Sequence, residues 1–144
     1  MTIFEALRQD HEKQRLLLKI LCETHGDTPA RREYFDELKQ ALEEHATAEE
    51  RHFYTPLLQH DRAVELSRHG IAEHHEIDEL IEKIDNTDWS SPVWLRTLKQ
   101  LREKVEHHLS EEEQDFFPVA GKILSAKQKA QLAREYQEKM ADTA

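Results

Sequence analysis

Between its few breakers, the chain places apolar residues three or four positions apart, the spacing of one helical face. A stripe of Phe4, Leu7, Leu18, Leu21 and Cys22 predicts a first helix over about residues 3–24, closed by Gly26, Asp27 and Pro29. A second helix is expected over about 30–54, stopping at Pro56, followed by a connection over 57–69 with a short helical turn. Ile71, Ile77, Ile81 and Ile84 mark a third helix over about 70–84. A loop then leads to Ser91 as N-cap and Pro92 at the first helical position of a fourth helix, which runs to about residue 117 and ends at Pro118. Ser125 and Gln128 have capping-box spacing and open a last amphipathic helix to about residue 140. The expected architecture is all-α: an antiparallel up-down-up-down four-helix bundle with an extra C-terminal helix, one domain over 1–144.

Composition agrees and narrows the function. Three glycines, four prolines and 35 % charged residues in 144 favour helices over sheet. The net charge of −10 offers no basic patch for nucleic acid. The single cysteine, Cys22, excludes a disulfide framework and paired-cysteine zinc sites, and is read as a small packed thiol. No apolar stretch has the length of a membrane span, and the N-terminus lacks signal-peptide character, so a cytoplasmic setting is expected. What stands out is ten histidines.

An internal repeat sorts them. An offset of 63 residues carries His11 to His74, His45 to His108 and Glu49 to Glu112, together with Phe35 to Leu98, Leu38 to Leu101, Leu42 to Val105 and Phe53 to Phe116. Each half therefore holds a lone histidine on its first helix and a His-x-x-x-Glu on its second. On the fourth helix Trp94, Leu98, Leu101, Val105, His108, Glu112 and Phe116 follow one another by steps of three and four, the seam of a bundle. The His and Glu thus occupy positions where core residues belong. His75 and His107 lie about 100° off this stripe and are read as surface residues, and His25, His60 and His69 as solvated. His52, its repeat equivalent Asp115, and Asp78 are candidates for supporting or additional contacts.

Four imidazoles and two carboxylates in a bundle core are costly unless paired or coordinated, and no lysine or arginine shares the second- and fourth-helix seams near them. A pair of multivalent cations is the simplest compensation, and this donor set suits iron, manganese or zinc. A His and Glu four residues apart are separated by roughly 6 Å along the axis, so one carboxylate can reach between two ions. Four imidazoles, two bridging glutamates and a shared oxo or hydroxo bridge leave coordination positions open on two six-coordinate ions, as a reactive centre requires.

With His11, His45-x-x-x-Glu49, His74 and His108-x-x-x-Glu112 flanked by Asp10, Glu73, Glu50 and Glu113, the chain resembles the haemerythrin-like (HHE cation-binding) family over nearly its whole length. The resemblance implies a non-haem centre of two iron ions, with manganese or zinc ranked behind, ligated by His11, His45, Glu49, His74, His108 and Glu112. Oxygen-carrier members have a second histidine one turn along the third helix and a His-x-x-x-x-Asp on the fourth. Here Asp78 stands at the former place and His108-x-x-x-Glu112 at the latter, so the chain resembles the six-ligand branch and reversible oxygen carriage is unexpected. The family's iron–sulfur repair members bear a cysteine-containing N-terminal segment, whereas this chain starts ten residues before His11, so that role is not expected either.

The leading expectation is a di-iron protein that binds or responds to oxygen, nitric oxide or peroxide at open iron positions. The alternatives are an oxidoreductase consuming peroxide or nitric oxide, and an iron store or donor. Whether it is an enzyme is left open, and no acid–base catalyst is identified. An unidentified redox or iron-accepting protein is the expected macromolecular partner. A ferritin-like site would need Glu-x-x-His on two helices, and only Glu49-x-x-His52 is present.

Overall fold

The computed structural model describes residues 1–143 and is helical throughout, with no strand among them. Its helices are α1 (Ile3–Cys22), α2 (Pro29–Glu49), α3 (Thr55–Leu57), α4 (Val64–Asp85), α5 (Pro92–Glu111), α6 (Phe117–Ile123) and α7 (Ala126–Thr143). A wide π-type turn, Glu50–Tyr54, joins α2 to α3, and a second, Glu112–Phe116, joins α5 to α6. Four rods result: α1, α2 with α3, α4, and α5 with α6. They form the antiparallel bundle, and α7 packs across α1 and α2.

The ends of the rods follow local chemistry. Thr2 and Glu5 close a capping box on α1, Thr28 caps α2 ahead of Pro29, and Ser91 caps α5 ahead of Pro92. Ser125 and Gln128 exchange backbone and side-chain hydrogen bonds at the start of α7, as their spacing predicts. At the far end of the bundle, buried Arg31 donates to the carbonyls of Trp89 and Thr24 and lies 4.3 Å from the Trp94 ring centre, tying the two loops together.

Three expectations are corrected. Pro118 does not end its helix, and Pro56 does not stop the second rod. In an unbroken α-helix a proline clashes with the carbonyl four residues earlier. Here each proline follows a wide turn in which the Thr55 N–H donates to the Glu50 carbonyl, or that of Phe117 to Glu112, and the opened turn accommodates the ring. Nor does Gly70 begin its helix. It sits within α4 because a Cβ there would lie 2.5–2.8 Å from atoms of the Tyr54 ring, so the glycine serves a close approach.

The core has two apolar clusters. One, toward the loop end, gathers Leu18, Leu21, Phe35, Leu38, Ile81, Ile84, Trp94, Leu98 and Leu101. The other, beneath α7, gathers Ile3, Leu7, Phe53, Tyr54, Leu57, Phe116, Phe117 and Tyr136. Along every rod, the polar residues of interest fall in the band between them.

Candidate metal centre

The structure brings all six sequence-predicted residues together in that band. His11, His45, Glu49, His74, His108 and Glu112 are each at most 5 % exposed. Their donor atoms form two overlapping groups, His11, His45, Glu49 and Glu112 in one and Glu49, His74 and His108 in the other, with atoms of a group within 4.8 Å of one another. Each hairpin of the repeat thus brings both its histidines to one position, and Glu49 belongs to both. One Glu49 oxygen is 3.5 Å from His45 Nε2 and the other 3.0 Å from His74 Nε2. Glu112 Oε1 lies 3.1 Å from His11 Nε2.

Each imidazole is oriented from behind. His11 Nδ1 donates to Glu113 at 2.8 Å, His74 Nδ1 to Glu50 at 2.9 Å, and His108 Nδ1 to Glu73 at 2.9 Å. His45 Nδ1 donates to the Tyr136 hydroxyl at 2.6 Å, which in turn donates to Asp10. These bonds fix the tautomer and aim every Nε2 inward, the support expected behind metal-binding histidines. The pairing crosses between hairpins: Glu113 of the second serves His11 of the first, and Glu50 of the first serves His74 of the second.

The inward atoms face one another but make no hydrogen bond. Nε2 of all four histidines, both oxygens of Glu49 and Oε1 of Glu112 are buried without a hydrogen bond. So many unsatisfied polar atoms converging in one place would be prohibitively costly, unless something that accepts electron pairs from both imidazole and carboxylate fills the space between them. The donor set is therefore suited to cations.

The same convergence sets the electrostatics. Burial opposes a charged His11, but the carboxylates of Glu112, Glu113 and Glu49 outweigh it and hold its pKa well above the ordinary value. For His74 burial is likewise overridden by Glu49 and Glu50, and its pKa reaches about 10. Burial also opposes ionised Glu49, yet His45, Glu112 and His11 hold it well below the carboxylate range. Glu112 is pushed up by burial and by the charge of Glu49. The cradle thus attracts positive charge, and a proton on Nε2 occupies the place a metal ion would take.

The halves differ behind His45 and His108, and they differ again at the glutamates. The Tyr54 hydroxyl donates to Glu112 Oε2, an atom otherwise 3.7 Å from His108 Nε2. Its repeat equivalent, Phe117, has no hydroxyl, so both Glu49 oxygens stay free of hydrogen bonds. Gly70 makes the space that Tyr54 uses, and at the equivalent place stands Leu7.

The remaining candidates lie outside the two groups. His52 faces Glu135 at 3.7 Å, Asp115 is exposed, and Asp78, although exposed, lines a small cavity beside His45, His74 and His108. His75 and His107 are on the surface, while Cys22 is half-buried against the loop-end cluster. Sequence reasoning missed Tyr54, Tyr136 and Gln14. The first could have been found where the repeat departs from itself, at Tyr54/Phe117 with Gly70/Leu7. Gln14 breaks it too, standing opposite Ile77 in seam phase. Tyr136 lies outside the repeat and left no signal.

The comparisons bear on the same stretch of chain. The family model described as Hemerythrin HHE cation binding domain matches residues 2–120. A solved Hemerythrin HHE cation binding domain-containing protein from Mycobacterium kansasii superposes with a TM-score of 0.90 over 99 % of this chain and 87 % of that one, at 22 % identity, a likeness of fold. A curated relative, described as a DNA nickase of Nostoc sp. (strain PCC 7120 / SAG 25.82 / UTEX 2576), is 29 % identical over 136 residues. That match takes in 94 % of this chain but spans only 38 % of the relative. No described helix is long and apolar enough to cross a membrane.

Proposed function

This chain belongs to the hemerythrin HHE cation-binding domain family, and from that premise we propose that it is a di-iron protein binding or responding to oxygen, nitric oxide or peroxide. His11, His45, Glu49 and Glu112 would hold one ion, and His74 and His108, with Glu49 from the shared position, the other. The observation that carries this is the set of four buried Nε2 atoms and three carboxylate oxygens with no other partner. Bound iron would supply Lewis acidity and electron exchange toward the small ligand.

The chain's own residues supply the rest. A cavity of about 10 Å³, room for about one water-sized group, adjoins His45, His74 and His108. Leu42 and Ile77 give it apolar walls that limit water. Gln14 also lines it, only 2 % exposed, with an Nε2 that has no acceptor in the protein. That amide is placed to donate to a ligand oxygen, which favours ligands with an exposed lone pair. Acting on such a ligand in a cytoplasmic setting, the protein would draw on a separate redox or iron-accepting partner.

Metal analysis of the full chain, with absorption spectra of anaerobic protein before and after air, azide, nitric oxide and peroxide, tests the proposal. Two irons per chain with ligand-dependent bands are expected; zinc alone, or less than one metal per chain, would sink it. Turnover sustained by a reductant would make the protein an oxidoreductase. Gln14→Leu should keep both metals and weaken ligand binding by about tenfold, the worth of one hydrogen bond. Unchanged affinity would remove Gln14 from the ligand's contacts.

A further inference from the structure

Outside the buried six, a second cluster of metal-type donors lies on the surface of the second hairpin. His69 Nε2 is 3.1 Å from Glu111 Oε1 and 3.3 Å from Glu73 Oε1, and the three donor atoms lie within 4.8 Å of one another. His107 Nε2 stands 3.0 Å from the other Glu111 oxygen. His69 is half-exposed, Glu111 less so, and Glu73 is buried, so the cluster leads from solvent inward.

What it leads to is a cavity of about 10 Å³. His69, Glu73 and Glu111 line it together with His108 and Glu112, two residues of the buried centre. Gly70 also lines it. The space can take one water-sized occupant.

The repeat provides a control within the molecule. At the positions equivalent to His69, Gly70 and Glu111 the first hairpin has Ala6, Leu7 and Ala48, all buried, with Tyr136 bonded to His45 and Asp10 close by. A fold that merely duplicated its hairpin would seal both sides alike. Here one side is closed by apolar side chains, and the other carries imidazole and carboxylate from solvent to a buried ligand.

We propose that His69, Glu73 and Glu111 form a third cation site, a port at which a divalent first-row transition ion is captured and passed to the buried centre. The proposal rests on the di-metal assignment of the six buried residues. One imidazole and two carboxylates, open to water, suit a hydrated ion held loosely enough to move on. Glu73 links the two sites, since its Oε1 faces His69 and also accepts from His108 Nδ1. The net charge of −10 adds a general attraction for cations.

The test mixes anaerobic, metal-free full chain with Co2+ and follows uptake by stopped-flow absorption, while Mn2+ titration by electron paramagnetic resonance counts weaker sites. Wild type should take up two equivalents rapidly and show a third, weaker one. His69→Ala with Glu111→Gln should keep the two, lose the third, and slow uptake by at least about tenfold, the scale of electrostatic capture. Glu111→Lys alone, which leaves a fixed cation in the port, should slow it similarly. His75→Ala with Glu79→Gln removes an equally exposed His–Glu pair away from the cavity and should change nothing. Uptake within twofold of wild type in both port variants, or retention of the third equivalent, overturns the port. Fewer than two equivalents in wild type overturns the buried centre itself, and the port with it.

Discussion

The two hairpins start from the same pattern and end in different surroundings. At the level of His11 with His45 and Glu49, and His74 with His108 and Glu112, the same residue types recur, each imidazole donating through Nδ1 to an oxygen of the protein. One turn outward they diverge. The first hairpin is packed with Ala6, Leu7 and Ala48 and covered by Tyr136, while the second keeps Gly70, His69 and Glu111 and brings Tyr54 onto Glu112. The inner positions converge on one another and match across the repeat, whereas the outer ones differ in size, polarity and exposure from one half to the other.

The sharpest way to break the comparison is to remove its one shared member. Glu49→Ala should lose both metal equivalents because its oxygens face both histidine pairs, whereas Glu112→Ala, whose second oxygen is already held by Tyr54, should lose only one. Metal analysis after gel filtration checks this, and equal losses would mean the two glutamates act alike.

Next come the supports. Glu73→Ala should weaken metal binding at the His74–His108 position by about 10- to 100-fold. Asp10→Ala should cost less, since Tyr136 still receives the His45 proton. Competition with a chelator measures both, and a larger loss in Asp10→Ala would reverse the roles given to the two sides.

The packing difference can be probed alone. Gly70→Ala drives a methyl into Tyr54 and should destabilise the chain by about 1–3 kcal/mol. Tyr54→Phe in the same chain should recover part of this by removing one of the crowding atoms. Denaturant unfolding of the two variants decides it, and a Gly70→Ala chain as stable as wild type would deny the close approach its importance.

The pH response follows from the carboxylates and His74. Burial works against ionised Glu73 and Glu113, but His108 for the one and His11 with Arg15 for the other bring both to about 2. Their stabilisation is present above the ordinary 4.5 and fades as pH falls toward 2. His74, raised from 6.5 to about 10, stabilises fully below 6.5 and loses its contribution as pH rises through 10. Chelator-treated protein should therefore be most stable between pH 4.5 and 6.5 and weaken on both sides. Metal-loaded protein should lack the alkaline loss, because the ion takes the place of the Nε2 proton. Thermal melts of both forms across pH settle it, and parallel curves would contradict the assignment. The smallest effect is expected at His75→Ala, within about 0.5 kcal/mol and with metal unchanged, as for an exposed residue away from the centre.

Much of this could be read before any coordinates. The helical class, the caps at Ser91 and Ser125, and the gathering of six residues in one band all follow from periodicity and the repeat, because seam phase determines which side chains meet. Helix ends were less legible. Pro56 and Pro118 read as stops because a proline normally is one, and the wide turns that admit them arise from backbone register, which no residue pattern here announces. Gly70 read as a boundary for the same reason, though its cause is a tyrosine on another rod. His69 reads as solvated, and Glu111 carries no signal, because exposure and company cannot be judged along one helix; the cavity they line appears only once α4 and α5 are packed together.

The crossed carboxylates bear on the order of events in folding. A chain that has formed only its first hairpin can orient His45 through Asp10, but not His11, which waits for Glu113; a lone second hairpin orients His108 but not His74, which waits for Glu50. Neither half can present two aligned imidazoles by itself. With the six residues holding metal as proposed, tight capture of an ion and docking of the halves would be one cooperative transition, and a half-built pocket would be a poor trap for metal.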